Sequence, residues 1–381
     1  MTAARRPRVL VLSLSKVASD ARVLKQIARL SETAEVVSCG YGPAPAPSAV
    51  HVKLIEAEPR WAVLLRALLI RMHLYCGAYW TTPAIRRARR LLRRQRFDAV
   101  LANDLDTAGL ALALAGPGRI HLDLHEYWLG LHDNSAAWRA LRQPYYRWQL
   151  QRWAARIPSA TTVSRTIADR YRDEFGIDAG VVLNATGLRE LTPTPVSRPL
   201  RLVHSGGSQP GRRIENMMTA VAHSASAATL DLYLVGQGTD YYQSLVALAD
   251  KLGERIRILP PVPSAELIET LNDYDVGIHV LPPTNTNNEL ALPNKFFDYV
   301  QARLAMIIGP TQSMAEILTR HDLGVVTTDF EPASLTAALD ALTREQVEGF
   351  KARAHAAAAE LSAEPQNDIW YRAIQAIVPH D

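Results

Sequence analysis

The sequence predicts an α/β protein with two doubly wound, Rossmann-like parallel-sheet domains that face a central cleft. Short continuous apolar runs alternate with helical stretches, a proline-rich segment interrupts this alternation once, and the alternation then starts again. Continuous apolar runs are typical of parallel strands that helices cover on both faces. A chain of 381 residues also suits two domains of about 150–200 residues better than one core.

The alternation can be followed through both halves of the chain. In the N-terminal half an amphipathic helix is predicted at 20–30, and the strand-like runs are 9–12, 36–39, 98–102, 120–124 and 160–164. The strand-like runs of the C-terminal half are 200–204, 230–235, 256–259, 276–280, 306–308 and 324–326. Ligands of doubly wound sheets bind beyond the carboxyl ends of the strands, so the residues after each run are the candidates for function.

The proline-rich segment 191–199 marks the boundary between the halves. Its three prolines can continue neither a helix nor a central strand. We therefore expect a first domain at 1–192, a linker at 193–199 and a second domain at 200–365. A C-terminal helix from about residue 366 to 381 is expected to pack back on the first domain.

Composition narrows the class of protein. Hydrophobic residues make up 48% and charged residues 21%, as in an ordinary globular protein. The 2 cysteines form no CxxC pair, which argues against a disulfide framework or a cysteine-built metal site and favours a reducing cytosol. No apolar signal-peptide segment follows Met1, so a cytoplasmic location is expected. Charged residues interrupt the apolar window 61–80, so we do not expect it to span a membrane.

Basic residues are concentrated in a helix predicted at 85–96, which holds seven arginines between Arg86 and Arg96. Its apolar residues share the other face: Ile85, Ala88, Leu91 and Leu92. One interpretation is a solvated charged face. The other is an anionic membrane surface at the inner face of the cell membrane, which the leucines of the window 61–80 support. Nucleic-acid binding is not expected, because no aromatic residues are interleaved with the arginines.

Two segments of the C-terminal half suit a nucleotide. Gly206 and Gly207 follow a strand and precede Arg212, so the backbone and a guanidinium could meet a phosphate there, although such a turn is also a common tight connection. Asn294 and Asp298 share a face of a predicted helix with Pro293 at its first position and Lys295 in its first turn. Asp298 could hold the ribose hydroxyls and Lys295 the phosphate charge, or both could be solvated surface groups.

These segments resemble the landmarks of the family 4-like (group 1) glycosyltransferases of GT-B fold. The resemblance rests on five motifs in the correct order: 205–215, VGQG at 235–238, LPPV at 259–262, YDVGI at 274–278 and LPNKFFDYV at 292–300. It implies a nucleoside-diphosphate-sugar donor, with Arg212 on the diphosphate and with Gly236, Pro261 and Val262 among the donor-binding residues. The first carboxylate of the family's E-x7-E pair falls on Leu290. Glu289, a nearby asparagine or backbone N–H groups are the candidate replacements.

The N-terminal half carries the acceptor-side part of the resemblance. Asp20 and Arg22 resemble the first loop of the family, Asp104 lies in its HDLDT-like segment, and His125 and Glu126 lie in its DxHE-like segment. His125 is expected to reach the transferred sugar or the reacting centre, unless it is a structural histidine. The resemblance assigns catalytic roles to His125, Glu126, Arg212 and Lys295.

No metal and no cofactor are expected. The sequence Asp104-Leu105-Asp106 matches the short DxD metal motif of another glycosyltransferase fold, but the two-domain pattern argues against it. His121 and His125 are four apart on a predicted strand, roughly 13 Å, which is too far for shared coordination.

The expected activity is a retaining, metal-independent sugar transfer from a nucleoside-diphosphate sugar such as a UDP-sugar. The acceptor is expected to be a hydroxyl of a glycan, a lipid-linked molecule or a small molecule, in cell-surface polysaccharide or glycoconjugate biosynthesis. The alternatives are a nucleotide-sugar epimerase or hydrolase of the same fold and a non-catalytic sugar-nucleotide-binding subunit. A dehydrogenase is disfavoured because no GxGxxG follows the first strand.

Overall fold

The computed structural model describes residues 5–46 and 50–379. The signal-peptide expectation at residues 1–4 and the last two residues of the predicted C-terminal helix lie outside this part of the chain. Contacts divide the chain into two compact units. The first unit comprises the described residues of Met1–Leu183, Asn285–Asn287 and Gln366–Asp381, and the second comprises Asn184–Thr284 and Asn288–Pro365.

The first unit is built on a parallel sheet, which has seven strands within the described residues, in the order β3-β2-β1-β4-β5-β6-β7. The strands are β1 Arg8–Lys16, β2 Glu35–Tyr41, β3 Val50–Lys53, β4 Ala99–Asn103, β5 Ile120–Leu124, β6 Ser159–Thr162 and β7 Ala179–Val181. Its helices are α1 Ala21–Ser31, α2 Arg60–Arg71, α3 Tyr75–Trp80, α4 Pro83–Leu92, α5 Leu105–Leu114, α6 Ala136–Arg152 and α7 Arg165–Phe175.

The second unit is also parallel, with the described strands in the order β10-β9-β8-β11-β12-β13. The strands are β8 Arg201–Gly207, β9 Thr229–Val235, β10 Ile256–Leu259, β11 Val276–His279, β12 Ala305–Ile308 and β13 Gly324–Val326. The helices are α8 Ile214–His223, α9 Asp240–Leu252, α10 Leu267–Asn272, α11 Thr286–Leu290, α12 Asn294–Gln301, α13 Gln312–His321, α14 Pro332–Ala341, α15 Arg344–Ala357 and α16 Ala363–Ile377. Residues 286–287 of α11 and α16 from Gln366 onward group with the first unit.

The strand order changes direction once in each sheet, between β1 and β4 and between β8 and β11. Such switch points are where doubly wound sheets bind ligands, just beyond the strand ends. The loops after β4, β8 and β11 lie at these switch points. The predicted class of two Rossmann-like parallel-sheet domains is thus confirmed, and the strands and helices also fix where each unit can hold a ligand.

The division between the units falls earlier than the proline-rich segment predicts. Residues from Asn184 onward group with the second unit, and Thr186 and Arg189 hydrogen-bond to Asp298 and Gln301 of α12. The prolines mark the end of regular structure, whereas these bonds decide with which unit the preceding residues pack.

The basic helix differs from its prediction. It ends at Leu92 and not at Arg96, and Leu91 is 42% exposed while Ala84, Ile85, Ala88 and Leu92 form the buried face. Pro83 sets the start of the helix and its register, which turns Leu91 toward solvent.

The apolar window 61–80 forms two helices, α2 and α3, which are interrupted at His73, whose φ is 57°. Across the described ranges no helix is both long and apolar enough to cross a membrane.

Candidate active site

A buried carboxylate, Asp123 of β5, organises the polar residues of the first unit. It accepts hydrogen bonds from Nε and Nη2 of Arg22 at 2.9 and 2.8 Å, from Gln26 at 2.7 Å and from Thr161 at 2.8 Å. Burial alone would raise the pKa of this carboxyl, but the charges of Arg22 and His125 outweigh burial and hold the pKa well below its ordinary value. Asp123 is therefore a fixed negative charge behind the loop that follows β5.

His125 lies between two carboxylates. Its Nδ1 is 3.3 Å from Oδ2 of Asp104, and its Nε2 is 3.2 Å from Oδ2 of Asp123. Burial lowers the pKa of His125, but Asp104 and Asp123 together outweigh burial and leave the pKa above its ordinary value. The arrangement favours an imidazolium, which stabilises negative charge, over a neutral ring that accepts a proton.

The backbone holds both acceptor-side aspartates in place. Asp104 precedes α5 with φ at 66°, a left-handed conformation that costs a non-glycine residue about 1–3 kcal/mol. The backbone N–H of His125 donates to Asp104 Oδ1 at 3.2 Å, which fixes the carboxylate against the histidine. Asp20 caps α1, because its side chain accepts from the N–H groups of Arg22 and Val23 at 3.2 Å. Asp20 therefore acts on the start of the helix that carries Arg22.

Glu126 is paired with a residue that the sequence did not single out. The Asn287 side chain donates to the Glu126 carboxylate and accepts the backbone N–H of Tyr127 at 2.7 Å. Burial raises the pKa of Glu126, and the bond from Asn287 opposes this rise. Asn287 is 6% exposed and groups with the first unit. The polar run 284–289 was the only sequence signal for it, and that signal pointed to the donor sugar instead.

In the second unit, Lys295 lies directly over the carboxyl end of β8, because the strand continues through the predicted glycine turn to Gly207. A Cβ added to Gly206 would be 2.7 Å from Lys295 Cε, so only glycine leaves room for the lysine stem in this position. Burial lowers the pKa of Lys295, Asp298 opposes this shift and Arg212 adds to it. The two predicted donor segments, the glycine loop and the start of α12, therefore meet at one place.

Arg212 stands beside two buried histidines at the same strand ends. Burial, together with the charges of Lys295 and Arg212, lowers the pKa of His204 to about 3, although a hydrogen bond to the Ile278 carbonyl opposes this shift. Burial also holds the pKa of His279 well below its ordinary value. Both rings are therefore neutral, and His204 Nε2 and His279 Nδ1 have no hydrogen-bond partner among the residues that the structure describes. Lys295 and Arg212 supply the positive charge here.

Asp298 is buried and held by Thr186, whose hydroxyl donates to Oδ1 at 2.5 Å. Pro293 is the residue before α12 and not its first residue, and Asn294 at the helix start is exposed. The one-residue shift leaves Lys295 in the first turn and Asp298 one turn further along. Thr186 was missed because nothing in its local sequence shows that it would reach α12.

A cavity of about 340 Å³ lies next to Arg212 in the second unit. It is lined by Gln209, Gly211, Arg212, His279, Leu281, Pro282, Pro283, Thr284, Asn288, Ala291, Pro293, Thr311 and Met314. Leu290 is buried, and its carbonyl accepts the Ser313 hydroxyl at 2.7 Å. Asn288 lines this cavity, whereas Glu289 is exposed and outside its lining. The contacts thus favour the asparagine over Glu289 as the polar group that stands in for the expected carboxylate.

The remaining donor-side residues lie in the loops after β9 and β10. Gly236 has φ of 106°, and a Cβ there would be 2.6 Å from Ser208 Oγ, so this loop lies against the one that carries Gly206 and Gly207. Pro261 is exposed, Val262 is half-buried, and neither lines the cavity next to Arg212. The structure thus brings the glycine loops, Arg212, Lys295 and Asp298 together and leaves Pro261, Val262, Glu289 and Asn294 at their periphery.

The two aspartates of the DxD-like segment have different surroundings. Asp104 contacts His125, whereas the Asp106 side chain lines a separate cavity. Within residues 5–46 and 50–379 there is no group of three histidine, cysteine, aspartate or glutamate side chains that could hold a metal ion.

The two parallel-sheet units with their site loops define the GT-B class of glycosyltransferase folds. Solved structures that cover 97–99% of the chain have this fold. They include HepE from Anabaena in complex with UDP (14% identity, TM-score 0.68, 97% of this chain and 100% of that chain). A trehalose-phosphate synthase (UDP-forming) from Burkholderia vietnamiensis aligns at 12% identity and TM-score 0.67, over 97% of this chain and 100% of the other. A glycosyltransferase from Rickettsia africae aligns at 12% identity and TM-score 0.68, over 99% and 100%.

Sequence comparison finds one family model that matches part of the chain. The model of Glycosyltransferase Family 4 matches residues 22–185, which run from Arg22 to the end of the first unit and just beyond it. The resemblance predicted from the motifs is thereby confirmed. No curated protein matches the sequence.

Proposed function

We propose that the protein transfers a glycosyl residue from a nucleoside-diphosphate sugar to a hydroxyl of an acceptor. The observation that carries the proposal is the pair of cations, Lys295 and Arg212, at the carboxyl end of β8, where Gly206 and Gly207 are the last two residues of the strand. Two forked or flexible cations next to glycine backbone suit a diphosphate, which carries charge on several oxygens. The UDP named for the HepE and trehalose-phosphate synthase structures makes a UDP-sugar the first donor to test.

The donor residues account for the departure of the diphosphate. The bond between the anomeric carbon and the diphosphate oxygen breaks, the bond between that carbon and the acceptor oxygen forms, and the acceptor proton passes to the diphosphate. Lys295 and Arg212 neutralise the charge that grows on the leaving oxygens, and preorganised charge of this kind is often the largest catalytic contribution. Asp298, oriented by Thr186, holds the ribose hydroxyls. No step requires a metal ion, and retention of configuration is expected from the family resemblance.

The first unit supplies the acceptor-side groups. His125, whose pKa is raised by Asp104 and Asp123 against burial, is suited to stabilise negative charge on the reacting sugar. Glu126 is held by Asn287, so its carboxylate has a fixed orientation. These roles are inferred from contacts within the first unit. In the proposal His125 acts as an electrostatic stabiliser.

The diphosphate assignment is tested by Arg212→Asn with Arg213→Asn as its matched control. Arg213 is the exposed neighbour with φ of 46°, a left-handed conformation that asparagine tolerates. We expect Arg212→Asn to lower kcat/KM for transfer by about 100-fold, since one lost charge contact in a transition state is worth about 2.7–4 kcal/mol. Arg213→Asn should stay within about threefold of the wild type.

Product analysis from UDP-glucose and other UDP-sugars completes this test. Wild-type transfer rates in Arg212→Asn would overturn the diphosphate assignment. Product that forms without an added acceptor would identify an epimerase or a hydrolase. Donor binding with no turnover of any acceptor would indicate a sugar-nucleotide-binding subunit.

We also propose that α2 and α4 bind an anionic lipid bilayer. Trp61, Leu64 and Leu68 on α2 are 61%, 69% and 56% exposed, an unusual set of apolar side chains to leave in water. A groove beside them is lined by Pro59, Trp61, Trp80, Pro83, Arg86, Arg87, Arg89, Arg90 and Arg93. Exposed apolar side chains next to a row of arginines match the two layers of such a membrane, the acyl chains and the anionic head groups.

Vesicle sedimentation tests the membrane proposal. The wild type should bind phosphatidylcholine vesicles with 30 mol % phosphatidylglycerol and bind pure phosphatidylcholine vesicles at least tenfold more weakly. Leu64→Ser together with Leu68→Ser should reduce binding to the anionic vesicles tenfold, whereas Leu188→Ser, a change at an exposed leucine of the second unit, should not. Equal binding to both vesicle types, or no effect of the paired serines, would contradict the proposal.

A further inference from the structure

The first unit contains a second cavity, of about 210 Å³, which the proposed function does not use. Its lining comes from β1, β2 and the helices α2 to α6 with their loops. The lining residues are Leu14, Tyr41, Glu58, Arg66, Tyr79, Thr82, Ile85, Asp106, Arg142, Tyr145 and Tyr146. The cavity thus lies beyond the carboxyl ends of β1 and β2, on the side of the sheet where doubly wound domains bind ligands.

Several polar groups in this cavity have no partner of their own. Within the described part of the chain, no hydrogen bond or ion pair is made by the guanidinium of Arg142 or by the hydroxyls of Tyr41, Tyr145 and Tyr146. Polar groups that line a cavity and are left unpaired by the protein are ready to bond a ligand or water. Four such groups around one cavity indicate a binding site more strongly than any of them alone.

The remaining polar groups are fixed in position. Arg66 donates to Glu58 at 2.7 Å, which holds both side chains at the wall. Asp106 lies in the first turn of α5, where the Tyr79 hydroxyl donates to the Asp106 carbonyl and accepts the N–H of Leu110, each at 2.8 Å. Tyr79 is buried, so the backbone under Asp106 is anchored to the core. The cavity is therefore preorganised.

The chemistry of the lining selects the class of ligand. Two carboxylates, Glu58 and Asp106, and two guanidiniums, Arg66 and Arg142, balance in charge, so a phosphate or another anion gains little net attraction. Sugar hydroxyls both donate and accept, and they match a lining that combines carboxylates, guanidiniums and tyrosine hydroxyls.

We propose that this cavity binds a glycosyl residue of the acceptor, with Asp106 and Arg142 as the main contacts to its hydroxyls. The inference rests on the proposed function, because the bound sugar is an acceptor only if the protein transfers a glycosyl residue. The binding itself can be measured separately. It adds Asp106, Arg142 and Tyr146 to the acceptor-side residues and makes them determinants of acceptor specificity.

Saturation-transfer NMR on the full chain tests the cavity directly. The probes are the methyl glycosides of glucose, galactose, mannose and N-acetylglucosamine, each measured with and without UDP. We expect at least one glycoside to bind, and Asp106→Asn and Arg142→Gln each to weaken its binding at least tenfold. Tyr146→Phe, which removes one hydroxyl, should weaken it about threefold, the effect of one modest hydrogen bond.

Matched controls separate the cavity from general effects. Glu56→Gln changes an exposed carboxylate outside the lining, and Arg152→Gln changes an exposed arginine of the same helix as Arg142. Both should leave glycoside binding unchanged. All five variants should keep the UDP affinity of the wild type within error. Asp106→Asn should have the wild-type melting temperature or a higher one, and the other four variants should keep the wild-type melting temperature within error.

The outcomes distinguish the two proposals. Glycoside binding that is lost equally in the controls, or kept in Asp106→Asn, Arg142→Gln and Tyr146→Phe, would overturn the cavity assignment. A wild type that binds UDP but none of the four glycosides would overturn it as well. A wild type that binds a glycoside in this cavity but binds no UDP-sugar would contradict the proposed function and still support the cavity as a sugar-binding site.

Discussion

Individual side chains in the first unit carry charge at some cost to the fold. The backbone of Asp104 is left-handed, and Asp106, two residues further along, lines a cavity. Burial and the charge of Asp104 together raise the pKa of Asp106 to about 6, although Arg66 and Arg142 oppose this rise. Groups whose pKa is strongly shifted by burial and neighbouring charge are typical of functional sites.

The raised pKa of Asp106 predicts a pH dependence of stability. The folded protein binds its proton up to about pH 6, whereas the unfolded chain releases it near the ordinary pKa of 3.8, so ionised Asp106 increasingly opposes folding as pH rises from about 4 to above 6. Asp106→Asn removes this opposition. Its melting temperature should exceed that of the wild type at pH 7.5 by several degrees more than at pH 4.5, as measured by differential scanning fluorimetry.

The control for this pH dependence is Glu56→Gln, at an exposed carboxylate. Its difference from the wild type should be the same at both pH values. An Asp106→Asn variant that gains nothing at pH 7.5 relative to pH 4.5 would show that Asp106 is not buried in its charged form.

Residue contacts also show what could not be predicted from sequence. The predicted residues Arg22, Asp104 and His125 do lie together, because all follow strands of one sheet. Their organising partner, Asp123, was not singled out, since a carboxylate inside an apolar strand looks like a surface residue until Arg22, 101 positions away, is seen to bind it. Asn287 and Thr186 were missed for the same reason, because local patterns carry no information on distant pairing.

At the scale of elements, the loop after β8 and the start of α12 act as one device. The loop could be predicted from its glycines and α12 from its apolar spacing, but their contact through Lys295 could not. Two predicted helix boundaries were wrong by one to a few residues. Helix α12 begins at Asn294 and helix α4 ends at Leu92, and differences of this size are usual where capping decides a boundary.

The contact between Gly206 and Lys295 predicts a loss of donor binding. A Cβ in Gly206→Ala would meet Lys295 Cε at 2.7 Å, so the lysine has to move away. The ammonium then leaves the diphosphate, so the affinity for UDP should fall about tenfold, which corresponds to 1.4 kcal/mol. The melting temperature should also fall, because the φ of Gly206, 158°, is a conformation that alanine rarely adopts. Isothermal titration calorimetry and scanning fluorimetry measure the two effects.

Gly116→Ala is the control for that loop variant, because a Cβ there meets no atom within 4 Å. It should leave both UDP affinity and melting temperature unchanged. Unaltered UDP affinity in Gly206→Ala would mean that the position of the lysine ammonium does not matter to the donor.

For the molecule as a whole, the last helix, α16, packs with the first unit, which contains the N-terminal half of the chain. Ile374 of α16 is fully buried in a cluster with Val9, Val11 and Ile27 of the first unit. Arg29 bonds to Asp368 at 2.8 Å, and Arg22 stacks on Trp370, with its guanidinium 4.6 Å from the ring. The two-domain pattern was evident from the sequence, whereas the assignment of 184–192 to the second unit depended on bonds that only the folded chain shows.

The position of Ile374 predicts which unit a mutation in the last helix destabilises. Ile374→Ala should cost about 2–5 kcal/mol, the usual range for a buried isoleucine. Hydrogen exchange followed by mass spectrometry should become faster in β1 and β2 and remain unchanged in β8 and β9. Leu91→Ala, at a leucine that is 42% exposed, should change neither unit. Faster exchange confined to β8 and β9 would contradict this prediction, because it would show that α16 stabilises the second unit and not the first.

Helix α2 has a consequence for how the enzyme would find its acceptor. One side of the helix presents Leu64 and Leu68 to the surroundings, while Arg66 lines the cavity proposed for the acceptor sugar. An enzyme held on a bilayer by that side searches for a lipid-linked acceptor in two dimensions. Its turnover would then follow the mole fraction of acceptor in the surface, and diluting the acceptor with inert lipid would slow it even when the bulk concentration stays constant.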